Sequence, residues 1–262
     1  MSESGPAVST WMRRAQIRQE IGERGFVSIE ELARAHGVSQ MTIHRDLSDL
    51  EANGYLRKVR GGATTQPTTT FHGDLKHRMD SEQRAKEALA RAAAAMIGPN
   101  EVVLLDDSTT CLRLAALLPQ LAPLTVITNF LPALTALGGQ AGVELIGLGG
   151  TFSDAHQSFV GPTAAAMVDR YRGDILFMST TAVTDGKCFH HSPDTVLVKQ
   201  ALMAVAARRV LLIDHTKFDR RGAHYLAEAA AFDEVLVDDG VAGQHVDQLR
   251  RAGAKVTLVS VG

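Results

Sequence analysis

Seven short apolar runs in the later part of the chain constrain its fold more than any other feature. They are "EVVLL" (101–105), "LTVIT" (124–128), "VELIG" (143–147), "DILFM" (174–178), "RVLLI" (209–213), "EVLVD" (234–238) and "KVTLV" (255–259). Each is continuous rather than alternating, which suits a strand buried on both faces. Helical stretches separate them, among them 109–118, 161–171 and 194–207. "SEQRAKEALARAAAAMI", ahead of the first run, is helical by its alanine content. Strand and helix in alternation predict an α/β domain with a mainly parallel sheet covered by helices. No repeat of fixed period runs through it.

The first sixty residues follow another pattern. "TWMRRAQIRQEIGERG" spaces Ile17 and Ile21 four apart and stops at Gly25. "SIEELARAHG" is a second helix, with Ser28 and Glu31 forming a capping box and Gly37 closing the end. The turn "GVS" leads to a third helix, "SQMTIHRDLSDLEANG", capped by Ser39 and stopped at Gly54. "YLRKVRGGA" is then a short β-prone arm. On the third helix Ile43, Leu47 and Leu50 form the inward stripe. Met41, Arg45 and Ser48 lie opposite, flanked by Thr42 and His44. Such a face is either simply solvated or set in a DNA major groove, where arginine reaches guanine O6 and N7. The tight turn before it and the basic "RKVR" after it favour DNA, because a helix-turn-helix delivers its second helix to the groove.

Charge agrees only locally. The whole chain carries −2, while residues 1–62 hold nine Lys/Arg against eight Asp/Glu. The organisation expected is a DNA-binding domain over 1–62, a linker over 63–79 that includes the polar, proline-interrupted "ATTQPTTT", and an α/β domain over 80–262. With 45% hydrophobic residues, the larger part, about 200 residues, can bury roughly 70% of its unfolded surface without a disulfide or metal staple. Cys111 and Cys188 lack metal-ligand spacing and read as reduced thiols. No signal core and no run of 18 apolar residues occurs, so a cytoplasmic protein without a membrane partner is expected.

In open α/β sheets ligands sit beyond the carboxyl ends of the strands. The residues there are Asp106, Asp107, Ser108, Thr109 and Thr110 after the first run, and Asn129 after the second. Gly149, Gly150 and Thr151 follow the third, and Ser179, Thr180 and Asp185 the fourth. Asp214, His215 and Lys217 follow the fifth. Thr109 and Thr110 open a helix whose first N–H groups are unpaired, which suits an anion such as phosphate, with Lys217 as a point charge. Plain helix capping by Ser108 or Thr109, and a surface role for Lys217, are the alternatives. "HHSPD", with His190, His191 and Asp194, invites a metal. Adjacent histidines point different ways and no spaced third ligand follows, so loop polarity or ligand contact is the better reading. No metal or cofactor is expected.

The residues resemble a family. "VSIEELARAHGVSQMTIHRDLSDLEANGYLRKVRGGA" resembles the N-terminal winged helix-turn-helix of the deoxyribose-regulator (DeoR) transcription factors, whose usual run is close to "VSxxTIRRDLxxLxxxGxLxRxHGGA". Farther on, "LDDSTT" resembles the family's "LDSGTT", and "VITNFLPAL" its "VVTNSLPIA". "GLGGTF" with "SFVGP" resembles its "GG" and "VGP" signatures, and "LLIDHTKF" its "LLADSSKF". Thr42, Arg45 and Asp46 match "TIRRDL". His44 stands for the first arginine of that run, Arg60 for the histidine of "HGGA", Ser108 for a glycine, and Asp194 where glutamate is common.

The resemblance implies a transcriptional regulator, usually a repressor of a carbohydrate-use operon. It implies a sensor domain similar to sugar-phosphate isomerases that binds a phosphorylated sugar or related metabolite. The DNA-contacting candidates are Ser39, Gln40, Met41, Thr42, His44, Arg45, Ser48, Arg57, Lys58 and Arg60. The effector candidates are Asp106, Ser108, Thr109, Thr110, Asn129, Gly149, Gly150, Asp185, Asp194 and Lys217. One helix covers few base pairs, so a homodimer or larger oligomer on repeated half-sites is expected. The alternative is an isomerase fused to a DNA-binding module, with Asp185 or Asp194 as base. The dense acidic and glycine-rich loops of such isomerases are missing, and no enzyme activity is expected.

Overall fold

The computed structural model describes residues 9–52, 55–65, 75–218 and 220–262. The chain divides into two units, Met1–Arg78 and Met79–Gly262.

In the first unit, helices α1 (Thr10–Arg24), α2 (Ile29–His36) and α3 (Gln40–Ala52) pack with strands β1 (Phe26–Ser28), β2 (Arg57–Val59) and β3 (Gly62–Thr64). The ends follow the sequence. Left-handed Gly25 and Gly37 close α1 and α2, and Ser28 with Glu31 forms the full capping box. The Ser39 hydroxyl accepts from Thr42 N at 3.2 Å. Gly54, read as the stop of α3, lies outside the described residues. Ile43, Leu47 and Leu50 share one buried core with Ile17, Ile21, Val27, Leu32 and Ala63. Each such burial stabilises by about 1.5–3 kcal/mol, which leaves the opposite face of α3 free to stay polar.

The basic arm is a hairpin, β2–β3, with Arg60 and Gly61 at its tip, joined to β1 in the antiparallel order β1-β3-β2. β3 runs two residues into the stretch read as linker. Ala63 is buried and pairs with Val27, so the sheet claims residues that their polar, β-branched context hid. A side chain at Gly62 would bring its Cβ within 2.4 Å of the Val27 carbonyl, so only glycine fits there. Most of the remaining linker, 66–74, lies outside the described residues.

The second unit begins within α4 (Leu75–Asp80). Its helices are α5 (Gln83–Ala94), α6 (Thr109–Ala115), α7 (Leu131–Leu137), α8 (Gly161–Val168), α9 (Pro193–Val205) and α10 (Gly243–Arg251). Its main strands are β4 (Val102–Leu105), β5 (Leu124–Thr128) and β6 (Val143–Gly147), then β9 (Gly173–Met178), β12 (Ala206–Ile213), β14 (Glu234–Asp238) and β15 (Val256–Val259). These are the seven apolar runs, joined in one sheet in the order β15-β14-β12-β9-β4-β5-β6. Every pairing in it is parallel. Central strands are buried on both faces, as Val103, Leu104, Leu105 and Ile175–Met178 are.

Two smaller features went unread. A hairpin of β7 (Thr151–Ser153) and β8 (Ser158–Val160) follows β6. β10 (Ala182–Thr184), β11 (Lys187–His190) and β13 (His224–Glu228) form a separate antiparallel sheet. These strands are three to five residues long, too short for a periodic signal. The sheet order also defines a switch point. From β4 the chain steps outward to β5 and β6, then returns to β9 on the other side of β4 and steps the opposite way. The crevice between such diverging strands is where open α/β sheets bind ligands. Among the described residues no helix is long and apolar enough to cross a membrane.

Candidate functional site

Two sites are built, one in each unit. On α3 the outward residues are Gln40, Met41, His44, Arg45 and Ser48, all exposed. Some are already occupied. Ser39 Oγ and Thr42 Oγ1 hydrogen-bond each other at 2.9 Å, and Ser48 Oγ donates to the His44 carbonyl at 2.8 Å. Lys58 on β2 donates its backbone N–H to Glu51 (2.7 Å) and its ammonium to Ser48 Oγ (2.9 Å), so the hairpin is fastened to the same helix. Arg57 is half-buried with its Nε unpartnered, and Arg60 is exposed at the tip. Among the described residues the His44 and Arg45 side chains have no hydrogen-bond or ion-pair partner, so their donors face solvent.

Asp46, beside Arg45, does the opposite. It is 1% exposed, and Arg13 Nε (2.6 Å) and Arg14 Nε (2.8 Å) both donate to it from α1. Burial alone would raise its carboxyl pKa, but the hydrogen bonds and charges of the two arginines outweigh that, and the net shift is downward. Asp46 is therefore a clamp that fixes α3 on α1. A depressed carboxylate pKa contributes stability above its unfolded value, and that stability is lost as pH falls through the folded value. The stability of the full chain against urea is thus expected to fall as pH drops below about 4, the ordinary aspartate value. An Asp46→Asn chain, weaker at neutral pH, should show a flatter dependence there. Identical pH profiles would remove the clamp from the explanation.

In the second unit the residues at the switch point converge. Asp106 and Asp107, the first two residues beyond β4, meet Lys199 of α9. The Lys199 ammonium contacts Asp106 Oδ2, Asp107 Oδ1 (3.3 Å) and the Ser179 carbonyl (3.2 Å). Asp106 also accepts from Ser179 N (2.8 Å) and Ser108 N (3.0 Å), and Asp107 accepts from Ser158 Oγ (2.9 Å). Lys199, Asp106, Asp107 and Ser158 are all at least 95% buried. Burial opposes the charged form of Lys199, yet the charges of Asp106 and Asp107 prevail and its pKa is raised. One lysine thus serves two carboxylates. Ser108 caps α6 by accepting from Cys111 N at 3.1 Å, with φ −88°. An ordinary residue is comfortable at that φ, so the position does not need the glycine of the family's pattern. Thr109 and Thr110 follow, both buried.

Asn129, at the end of β5, is 1% exposed. Its amide donates to the Phe159 carbonyl at 2.8 Å, and its Oδ1 has no partner. Thr195 on α9 is fully buried with its hydroxyl unpartnered, one turn before Lys199 on the same helix face. Gly149 and Gly150 open the β7–β8 hairpin, and a Cβ on Gly150 would lie 2.7 Å from that of Ala164, so glycine lets the hairpin pass α8. The hairpin's His156 reaches His191, Nε2 to Nε2 at 2.8 Å, while His190 stacks on His191 with ring centroids 4.4 Å apart. Among the described residues no group of three or more His, Cys, Asp or Glu is arranged to hold a metal.

One sequence candidate, Asp185, stands apart from this cluster. Asp185 is exposed in the turn between β10 and β11. The next residue's carbonyl accepts from Ala229 N (2.8 Å), just ahead of β14, so Asp185 lies toward the N-terminal strand ends. β10 runs back along the sheet, a reversal that the sequence did not reveal. Asp194 is exposed in the first turn of α9. Lys217 is held by Asp214 at 2.5 Å. Burial would raise the Asp214 pKa, but Lys217 and the Thr216 hydroxyl bring it well below the carboxylate range. Asp107, named at the strand end, was left out of the effector candidates, and Lys199, Ser158 and Thr195 were missed as site residues. Lys199 alone carried a signal, a charge on the apolar face shared with Val196 and Met203.

A winged helix-turn-helix joined to a parallel α/β unit with a polar switch-point site defines a DNA-binding regulator with a sensor. Comparison with known proteins gives the family. Residues 13–69 match the DeoR-like helix-turn-helix domain, and residues 81–239 match the DeoR C-terminal sensor domain. The chain belongs to the DeoR family of transcriptional regulators. It is 30% identical over 234 residues to the transcriptional repressor AccR of Agrobacterium fabrum, covering 88% of this chain and 91% of that one. It is 29% identical over 223 residues to the L-fucose operon activator of Haemophilus influenzae, covering 85% and 89%. The lactose phosphotransferase system repressor of Lactococcus lactis is 28% identical over 230 residues, covering 86% and 89%.

Proposed function

We propose that this regulator is a repressor of a carbohydrate-use operon, released from its operator by a phosphorylated sugar or related metabolite bound at the switch point. The observation that carries the effector reading is the unpaired, buried Asn129 Oδ1 beside the Asp106–Asp107–Lys199 cluster. A buried acceptor without a donor costs about 1–3 kcal/mol. A polyhydroxylated ligand supplies that donor, and its other hydroxyls suit the carboxylates and the Thr195 hydroxyl. The cluster holds two carboxylates for one ammonium, so it suits sugar hydroxyls. The phosphate is assigned to the segment Ser108–Thr110. Gly149 and Gly150 place the hairpin beside the ligand, while Asp185, Asp194 and Lys217 take no part in this reading. The sugar context is supported by relatives whose names concern lactose and L-fucose.

On the DNA side, the outward face of α3 lies in the major groove. Gln40, Met41, His44 and Arg45 face base edges, and Ser39, Thr42, Ser48, Arg57, Lys58 and Arg60 face the backbone. Two copies of the chain read paired half-sites. Effector and operator favour different arrangements of the protein, so each weakens the other's binding.

Paired variants test the two-site reading. Arg45→Ala should weaken specific operator binding by about 1–3 kcal/mol, the worth of a bidentate contact to guanine, and leave sugar-phosphate binding intact. Thr110→Val should do the reverse. Fluorescence anisotropy on a selected operator and calorimetry with sugar phosphates separate the two, and equal losses in both assays for either variant would count against the reading.

A further inference from the structure

We infer that Met41 is the thymine-reading residue of the recognition helix, contacting the C5-methyl group of a thymine in the major groove. The inference rests on the DNA-binding reading above and adds which base is read.

Met41 is 63% exposed in the first turn of α3, and it is the large hydrophobic side chain that this helix leaves outside. The inward stripe is complete without it, since Ile43, Leu47 and Leu50 are each at most 5% exposed. Its neighbours narrow the possibilities. The hydroxyls of Ser39 and Thr42 bond each other, and that of Ser48 is held between His44 O and Lys58 Nζ. Asp46 is turned inward onto Arg13 and Arg14. Three of the polar side chains on or beside the outward face are thus already engaged, and the first two turns present Gln40, Met41, His44 and Arg45.

Thymine's methyl is the one apolar group in the major-groove pattern of the four base pairs, so an apolar side chain among donors has one natural counterpart there. Met41 precedes Arg45 by four residues. They lie on the same side of the helix, about 6 Å apart along its axis, close to two base steps of about 3.4 Å each. The pair thus addresses a thymine and a guanine within one half-site. The flexible thioether also adapts to the methyl without a fixed rotamer.

The test uses the full chain and a preferred site selected from random-sequence DNA. Each thymine of that site is replaced in turn by deoxyuridine, which removes the methyl and changes no hydrogen bond. At one thymine per half-site the wild type should lose about fourfold in affinity, the worth of about one buried methyl-sized group. Met41→Ala should be indifferent to that replacement, and Met41→Leu should keep the sensitivity. Arg45→Ala should keep it too. Since Met41 is exposed, neither of its substitutions removes a core contact, and retained binding to the uracil site confirms a folded helix. The inference is overturned if the wild type prefers its selected site but the same uracil penalty persists in Met41→Ala, or if no thymine methyl matters. Selection of no preferred sequence at all would overturn the DNA-binding reading along with it.

Discussion

Asp46→Ala is expected to cost the N-terminal unit about 3–5 kcal/mol, the usual penalty for removing one partner of a buried ion pair. Arg13 would be left 9% exposed with no carboxylate, and α3 would lose its tie to α1. Arg14 keeps its contact with Asp49 at the surface, which places the expected value near the lower end. A domain of this size has only about 5–15 kcal/mol in total. Specific operator binding should therefore fall steeply, although Asp46 touches no DNA in this account. Hydrogen exchange distinguishes this from a lost contact. Amides of α1 and α3 should lose protection, while those of β4 and β9 in the sensor unit should not. Unchanged protection in α3 with weakened DNA binding would make Asp46 a direct contact.

Lys199→Met should have an effect of similar size in the other unit. It keeps most of the apolar stem but leaves Asp106 and Asp107, both at most 5% exposed, without their cation. About 3–5 kcal/mol is expected, read as a lower urea midpoint for the sensor unit and loss of sugar-phosphate binding. Adding Asp106→Asn should recover part of the stability, because one of the two stranded charges is then gone. A Lys199→Met chain as stable as wild type would mean that the carboxylates are not held as charged groups by this lysine.

The seven central strands were legible because burial on both faces writes itself as an unbroken apolar run. Their order was not, since local sequence contains no statement about which strand lies beside which. The switch point between β4 and β9 became visible only from the pairing of Val103 with Ile175 and of Val102 with Thr125. The helix ends of the first unit were legible for a local reason. A cap is chemistry among residues three or four apart, as with Ser28 and Glu31.

The site divides along the same line. Residues 106–110 are contiguous and follow a readable strand. Lys199 lies 93 residues from Asp106, and only the fold joins them. Asp185 followed a readable strand too, but the short β10 carried it away. Asp46 matched a motif, and its position next to Arg45 gave no hint that it faces the protein and not the groove.

The most direct test of the central claim is operator affinity measured by anisotropy with and without a sugar phosphate that binds the sensor unit. A coupling of about 1–3 kcal/mol is expected, a weakening of roughly 5–150-fold at saturating effector. Operator affinity unchanged by a sugar phosphate that calorimetry shows to be bound would contradict the account.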